Sequence, residues 1–161
     1  MIVFTFPGQG SQKPGMGDVW RDHPSWELVA EASSVLNRDL EHLLLHTEAE
    51  ELTRTDNAQL STFLTSLIVL DAVERLGVEP AAAAGHSLGE YAALAASCSL
   101  SISDAARLLR QRGDSMQSAV PVGEGAMAAI LGGDEDQINA ILADAKSSGL
   151  VQIANDNAPG Q

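Results

Sequence analysis

Hydrophobic positions fall in short, sharply bounded groups along the chain. Residues 2–6 form an apolar run rich in β-formers, cut off by Pro7-Gly8, and predict a buried first strand. A polar loop follows in which Gly8, Gly10, Gly15 and Gly17 crowd around Gln9, Ser11 and Gln12. Pro24 opens a predicted helix through Leu36, with Trp26, Val29 and Ala30 on one face. Shorter helical pieces are predicted at 40–45 and 48–52. The clearest helix spans 58–76, where Leu60, Phe63, Leu64, Leu67, Ile68 and Val73 recur at helical spacing and Gly77 ends the pattern.

The alanine run 81–84 has high helix propensity, but Gly77 and Pro80 interrupt it in front and Gly85 behind, so it is read as a second strand. Helices are predicted at 88–96 and 103–118, the latter capped near Ser103 or Asp104. Gly123-Glu124-Gly125 reads as a linker. Beyond it the pattern predicts a strand at 126–131, an amphipathic helix at 134–146 and a strand at 150–154, together one βαβ unit.

Composition narrows the function classes. Twenty-two acidic side chains against 9 basic ones give a formal charge of −13, which argues against nucleic acid because phosphate contacts need clustered Lys and Arg. Hydrophobic residues make up 45% of the 161 residues, enough for a packed core. The single cysteine, Cys98, excludes an internal disulfide and a Cys-rich metal centre. No stretch reaches the roughly 18 apolar residues of a membrane helix, and the N-terminal run lacks a basic leader, so a cytoplasmic protein is expected.

Two segments carry candidate chemistry. Gly85-His86-Ser87-Leu88-Gly89 lies between a predicted strand and a predicted helix and has the form of a nucleophile elbow, with glycines where backbone must approach backbone. The helix N-terminus behind Ser87 would favour developing negative charge. Pro7-Gly8-Gln9-Gly10-Ser11-Gln12 directly follows the first strand, and such a loop can aim a backbone N–H into a cavity or be an ordinary glycine-rich turn. By spacing alone Arg112 is a solvated helix charge beside Arg107 and Arg110.

Phe6-Pro7-Gly8-Gln9-Gly10-Ser11-Gln12 together with Gly85-His86-Ser87-Leu88-Gly89-Glu90-Tyr91 closely resembles the malonyl-CoA:acyl carrier protein transacylases, which belong with the acyltransferase domains of polyketide and fatty acid synthases. Asn57-Ala58-Gln59, Arg112-Gly113, Met116-Gln117, Gly125-Ala126-Met127-Ala128-Ala129 and Asn157-Ala158-Pro159-Gly160-Gln161 extend the likeness over nearly the whole chain.

The resemblance implies an α/β fold: an α/β-hydrolase-like large domain with a parallel sheet, into which a small ferredoxin-like domain is inserted. Residues 1–122 would be the N-terminal part of the large domain and 123–161 the first βαβ part of the small one. Ser87 would take malonyl from coenzyme A as an ester and pass it to the phosphopantetheine thiol of acyl carrier protein, in fatty acid or polyketide biosynthesis. Gln9 and Leu88 would hold the oxyanion through backbone N–H groups, Gly8, Gly10, Gly85 and Gly89 would shape the loops, and Arg112 would bind the malonyl carboxylate through paired hydrogen bonds. Leu88 resembles the malonyl-preferring members. No metal and no resident cofactor are implied, the coenzyme A thioester being substrate.

The departure from the family is length. The general-base histidine is expected in a C-terminal half that this chain lacks, which makes that half an expected partner. His23, His42, His46 and His86 all precede Ser87; His86 adjoins it on a tight turn that should point it elsewhere, and His42 and His46, four apart, lack a third metal ligand. Two other readings stand beside the acyltransferase. One is a non-catalytic fragment or subunit that binds carrier protein or coenzyme A and needs a second polypeptide. The other is an α/β serine hydrolase, whose triad order would place a histidine after Ser87 where none occurs.

Overall fold

The computed structural model describes residues 1–121 and 123–161. They form two compact units, Met1–Val122 and Gly123–Gln161.

In the first unit a strand β1 (Val3–Phe6) pairs in parallel with β2 (Ala82–Gly85), in the register Val3↔Ala82 through Phe6↔Gly85. Bonds from Ala81 N to Ile2 O (2.8 Å) and from His86 N to Phe6 O (3.1 Å) extend the ladder at both ends. The ladder is why the alanine run is a strand: its backbone groups pair with β1, and tertiary pairing overrides a weak local propensity. Two 3-10 turns, Asp18–Trp20 and Pro24–Trp26, precede the helices α1 (Glu27–Leu36), α2 (Leu40–Leu45), α3 (Ala49–Leu52) and α4 (Thr55–Glu74). After β2 come α5 (Gly89–Ala96) and α6 (Ile102–Ala119).

The core is built around α4. Phe63, Leu64, Leu67 and Ile68 are almost wholly buried and cluster with Val29 and Ala32 of α1, Leu40 and Leu44 of α2, Ala92 of α5 and Ala105 and Leu109 of α6. Every residue from 57 to 64 is buried, polar ones included. Sequence periodicity predicts one apolar face; the structure instead surrounds the N-terminal half of α4, and Asn57, Gln59, Ser61 and Thr62 go inside with the leucines. Asn57 is accommodated by accepting a short hydrogen bond from Arg38 and donating to Glu51 O at 2.7 Å.

The second unit contains one helix, α7 (Glu135–Ala145), opened by a capping box in which Gln137 N donates to Asp134 Oδ1 (2.9 Å) and Asp134 N to Gln137 Oε1 (3.1 Å). The strands expected at 126–131 and 150–154 do not form: among the described residues neither segment has a ladder partner, and none of the unit's residues is buried. An alternating or apolar run becomes a strand only when another strand satisfies its backbone, and here Met127, Leu131, Leu150 and Ile153 stay exposed. The βαβ expectation is therefore corrected to a single capped helix between irregular segments. No helix among the described residues is long and apolar enough to cross a membrane.

Candidate active site

Because β1 and β2 are parallel and end in register, the loops after both leave the same end of the sheet, where ligands of open α/β sheets are commonly held. Pro7-Gly8-Gln9 follows β1, and His86-Ser87-Leu88 follows β2. The loops touch: a Cβ on Gly8 would stand 2.6 Å from His86 Nδ1 and 3.0 Å from its carbonyl oxygen.

Ser87 sits at the sharpest point of the second loop, in the left-handed region at φ 53°. For a residue with a Cβ that conformation costs roughly 1–2 kcal/mol. The surroundings hold it there. Gly89 N donates to His86 O (2.9 Å), Glu90 N to Ser87 O (3.1 Å) and Tyr91 N to Leu88 O (3.1 Å), while the Leu88 side chain is fully buried beneath. The flanking glycines are there for space. A Cβ on Gly89 would meet Pro7 O at 2.7 Å, and one on Gly85 would run into the backbone of Gly89 and Glu90. Gly10 adopts φ 111°, a conformation suited to glycine, and its N–H donates to Gln12 Oε1 at 2.8 Å. The hydroxyl is thus exposed at the start of α5, where the helix dipole and the Leu88 N–H favour negative charge. Among the described residues the backbone N–H groups of Gln9 and Leu88 make no hydrogen bond to the protein.

Arg112 reaches the same place from α6. Its Nη2 donates to Ser87 Oγ at 2.9 Å, and its Nη1 donates to Oε1 of Gln59 on α4 at 2.5 Å. Helices α4 and α6 can approach this closely because residue 113 is glycine, whose added Cβ would lie 3.0 Å from Asp56 Cα. The neighbouring arginines do other things: Arg107 pairs with Asp104 (3.0 Å), and Arg110 donates to Leu36 O (2.6 Å).

The structure therefore brings Ser87, Leu88, Arg112 and the Gly8-Gln9 loop together. Gln59 has no role assigned from sequence beyond its place in the Asn57-Ala58-Gln59 match; the structure buries it, and a buried amide needs a bonded partner. His42 and His46 form a ring pair with centroids 5.7 Å apart on the surface of α2. Among the described residues no cluster of three or more His, Cys, Asp or Glu could hold a metal ion.

A family model for the acyl transferase domain matches residues 3–157. The chain belongs to this family. It is 47% identical to the malonyl CoA-acyl carrier protein transacylase of Bacillus subtilis strain 168, over 99% of this chain and 51% of that protein. The solved structure of the acyl-carrier-protein-S-malonyltransferase from Bartonella henselae superposes with a TM-score of 0.88 at 44% identity, covering 99% of this chain and 53% of that one. A type II polyketide acyl carrier protein in complex with its malonyl-transacylase contains a chain similar at TM-score 0.87 and 38% identity, again over 99% of this chain and 52% of the other. This acyl transferase chain spans about half the length of the curated relatives it matches. Its site has the parts an acyl transfer needs on the nucleophile's side: a strained, exposed hydroxyl, unbonded backbone donors beside it, and a fixed cation within hydrogen-bond reach.

Proposed function

We propose that this chain is the serine-bearing part of a malonyl-CoA:acyl carrier protein transacylase working in the cytoplasm in fatty acid or polyketide biosynthesis. Residues 1–122 are read as the N-terminal part of an α/β-hydrolase-like domain and 123–161 as the beginning of a ferredoxin-like one. The observation that carries the activity is the 2.9 Å hydrogen bond from Arg112 to Ser87, which sets a carboxylate-binding group beside a hydroxyl on a nucleophile elbow.

In this reading Ser87 Oγ attacks the thioester carbonyl of malonyl-CoA. The resulting oxyanion accepts hydrogen bonds from the N–H groups of Gln9 and Leu88, as in other acyl transfers. The tetrahedral intermediate collapses with cleavage of the carbon–sulfur bond. The Ser87 proton passes through a general base to the departing thiolate, leaving malonyl as an ester on Ser87 and free coenzyme A. The phosphopantetheine thiol of acyl carrier protein then attacks the ester, and the serine recovers its proton. Arg112 turns its remaining N–H donors to the free malonyl carboxylate and keeps that end fixed through both steps. The base is assigned to a histidine supplied by the rest of the polypeptide, in keeping with relatives twice as long. Coenzyme A enters as substrate, and no resident cofactor or metal is invoked. The partnership with acyl carrier protein is supported by the similar transacylase solved in complex with one. A bare serine hydrolase is not favoured, since the relatives described above are transacylases.

The test is intact-mass measurement after incubation with malonyl-CoA. A single malonyl adduct is expected on the enzyme that includes the histidine-bearing part and none on its Ser87→Ala variant; an equal adduct on both would overturn the assignment.

A further inference from the structure

We propose that Gln59 is a positioning residue for Arg112, and that its buried amide makes the site selective for acyl groups ending in a carboxylate. The inference rests on the reading of Arg112 given above and goes one step behind it.

Gln59 is completely buried, one turn into α4 from its N-terminus. Its Oε1 accepts from Arg112 Nη1 at 2.5 Å, and its Nε2 lies 3.4 Å from Met116 Sδ. Only this orientation of the amide makes chemical sense. Turned over, the NH2 group would face a guanidinium that can only donate, and the oxygen would face a thioether that can only weakly accept. The amide is therefore locked from both sides by α6, through Arg112 and through Met116 one turn further on.

That lock does two things to the guanidinium. It fixes the end of a long, flexible side chain, whose Nη2 then reaches Ser87 Oγ at 2.9 Å rather than turning out to solvent. It also leaves the charge uncompensated, because an amide oxygen accepts the hydrogen bond without bringing a negative charge. Arg112 has five N–H donors, and Gln59 and Ser87 occupy two. The others remain for an incoming carboxylate. Arg107 and Arg110 on the same helix have carboxylates within 4 Å, at Asp104 and Asp114, so their charges are already answered. Neutral Gln59 keeps Arg112 both aimed and hungry for an anion.

The experiment compares KM and kcat for malonyl-CoA and acetyl-CoA in the active enzyme carrying Gln59→Met, Gln59→Glu and Arg112→Ala. Met keeps the volume and removes the acceptor. Glu keeps the acceptor and adds the charge that should compete with substrate. Both Gln59 variants are expected to raise KM for malonyl-CoA by about tenfold or more, Met through the lost hydrogen bond to a charged group and Glu through a carboxylate that occupies the guanidinium, while the acetyl parameters change little. A merely structural role would lower both substrates together, and that result in folded variants overturns the proposal. Should Gln59→Met fail to fold, Gln59→Glu carries the test alone. Arg112→Ala separates the two layers. If it is malonyl-selective and the Gln59 variants are not, only the positioning role falls. If it lowers both substrates equally, the carboxylate reading of Arg112 falls, and this inference with it.

Discussion

Arg112 on α6 and Ser87 at the head of α5 are 25 residues apart in the chain, yet Nη2 of one donates to Oγ of the other at 2.9 Å. A resting serine hydroxyl does not need a cation beside it. The arrangement gains purpose when the acyl group has a second charge to place, since a guanidinium offers a carboxylate two parallel N–H donors.

Arg112→Ala is accordingly expected to reduce malonyl transfer by about 10- to 100-fold, the range for losing hydrogen bonds to a charged group. Acetyl transfer, with no carboxylate to hold, should fall far less. Steady-state transfer from both thioesters measures the ratio, and an equal loss would make Arg112 a structural arginine.

The backbone of Ser87 predicts a separation of stability from activity. At φ 53° a Cβ is strained and glycine is not. Ser87→Gly and Ser87→Ala should both abolish acyl loading, but the glycine variant should be more stable than the alanine variant by about 1 kcal/mol. Denaturant melts of the pair decide it. Equal stability would mean that the turn relaxes once the hydroxyl is gone.

The elements were legible to different degrees, for physical reasons. β1 and β2 could be read because Pro7 and Gly85 bound them and because each supplies the other's ladder. Ser87 could be read because its neighbours must be glycine for the backbone of Gly89 to pass beneath Pro7. The segments at 126–131 and 150–154 have the same local signature as β1, but a strand is a property of a pair, and a linear pattern contains no statement about partners. Arg112 could not be told from Arg107 and Arg110 by spacing, because what distinguishes it is Gln59, brought close from α4 by Gly113. Neither the burial of Gln59 nor its bond to an arginine 53 residues away is written in the periodicity, because both come from the packing of α6 against α4.

Thr62 gives a prediction about the core. Its side chain is 1% exposed, and Oγ1 has no hydrogen-bond partner among the described residues, where it lines a cavity of about 500 Å³ with Phe4 and Phe6 of β1. An unpaired buried hydroxyl opposes folding, whereas the isosteric methyl of valine does not. Thr62→Val should be neutral or stabilising by up to about 1 kcal/mol. A loss of comparable size in thermal or urea melts would show that the hydroxyl is bonded in solution.

Acid should weaken one specific link between the end of α4 and the start of α1. Burial by itself pushes the Asp71 carboxyl up, but the nearby Ser25 hydroxyl, then the hydrogen bond and charge of Arg75, outweigh it and hold the group below its ordinary value. Arg75 Nε donates to Asp71 Oδ2 at 2.6 Å, and Arg75 Nη2 continues to Glu27 at 2.8 Å, tying the end of α4 to the start of α1. A carboxylate whose pKa is lower folded than unfolded contributes its stability above the unfolded value, near 4, and loses it as pH falls through the lowered folded value. The Asp71 side chain is 32% exposed, so the contribution belongs at the weak end, up to about 1 kcal/mol. Asp71→Asn should therefore be less stable than wild type at neutral pH by that amount, and the gap should close as the pH drops below about 4. Comparing the two proteins at each pH cancels the titration of the remaining acidic groups. A gap of the same size at neutral and at acid pH would mean that the asparagine costs packing rather than charge, and that Asp71 does not carry the link.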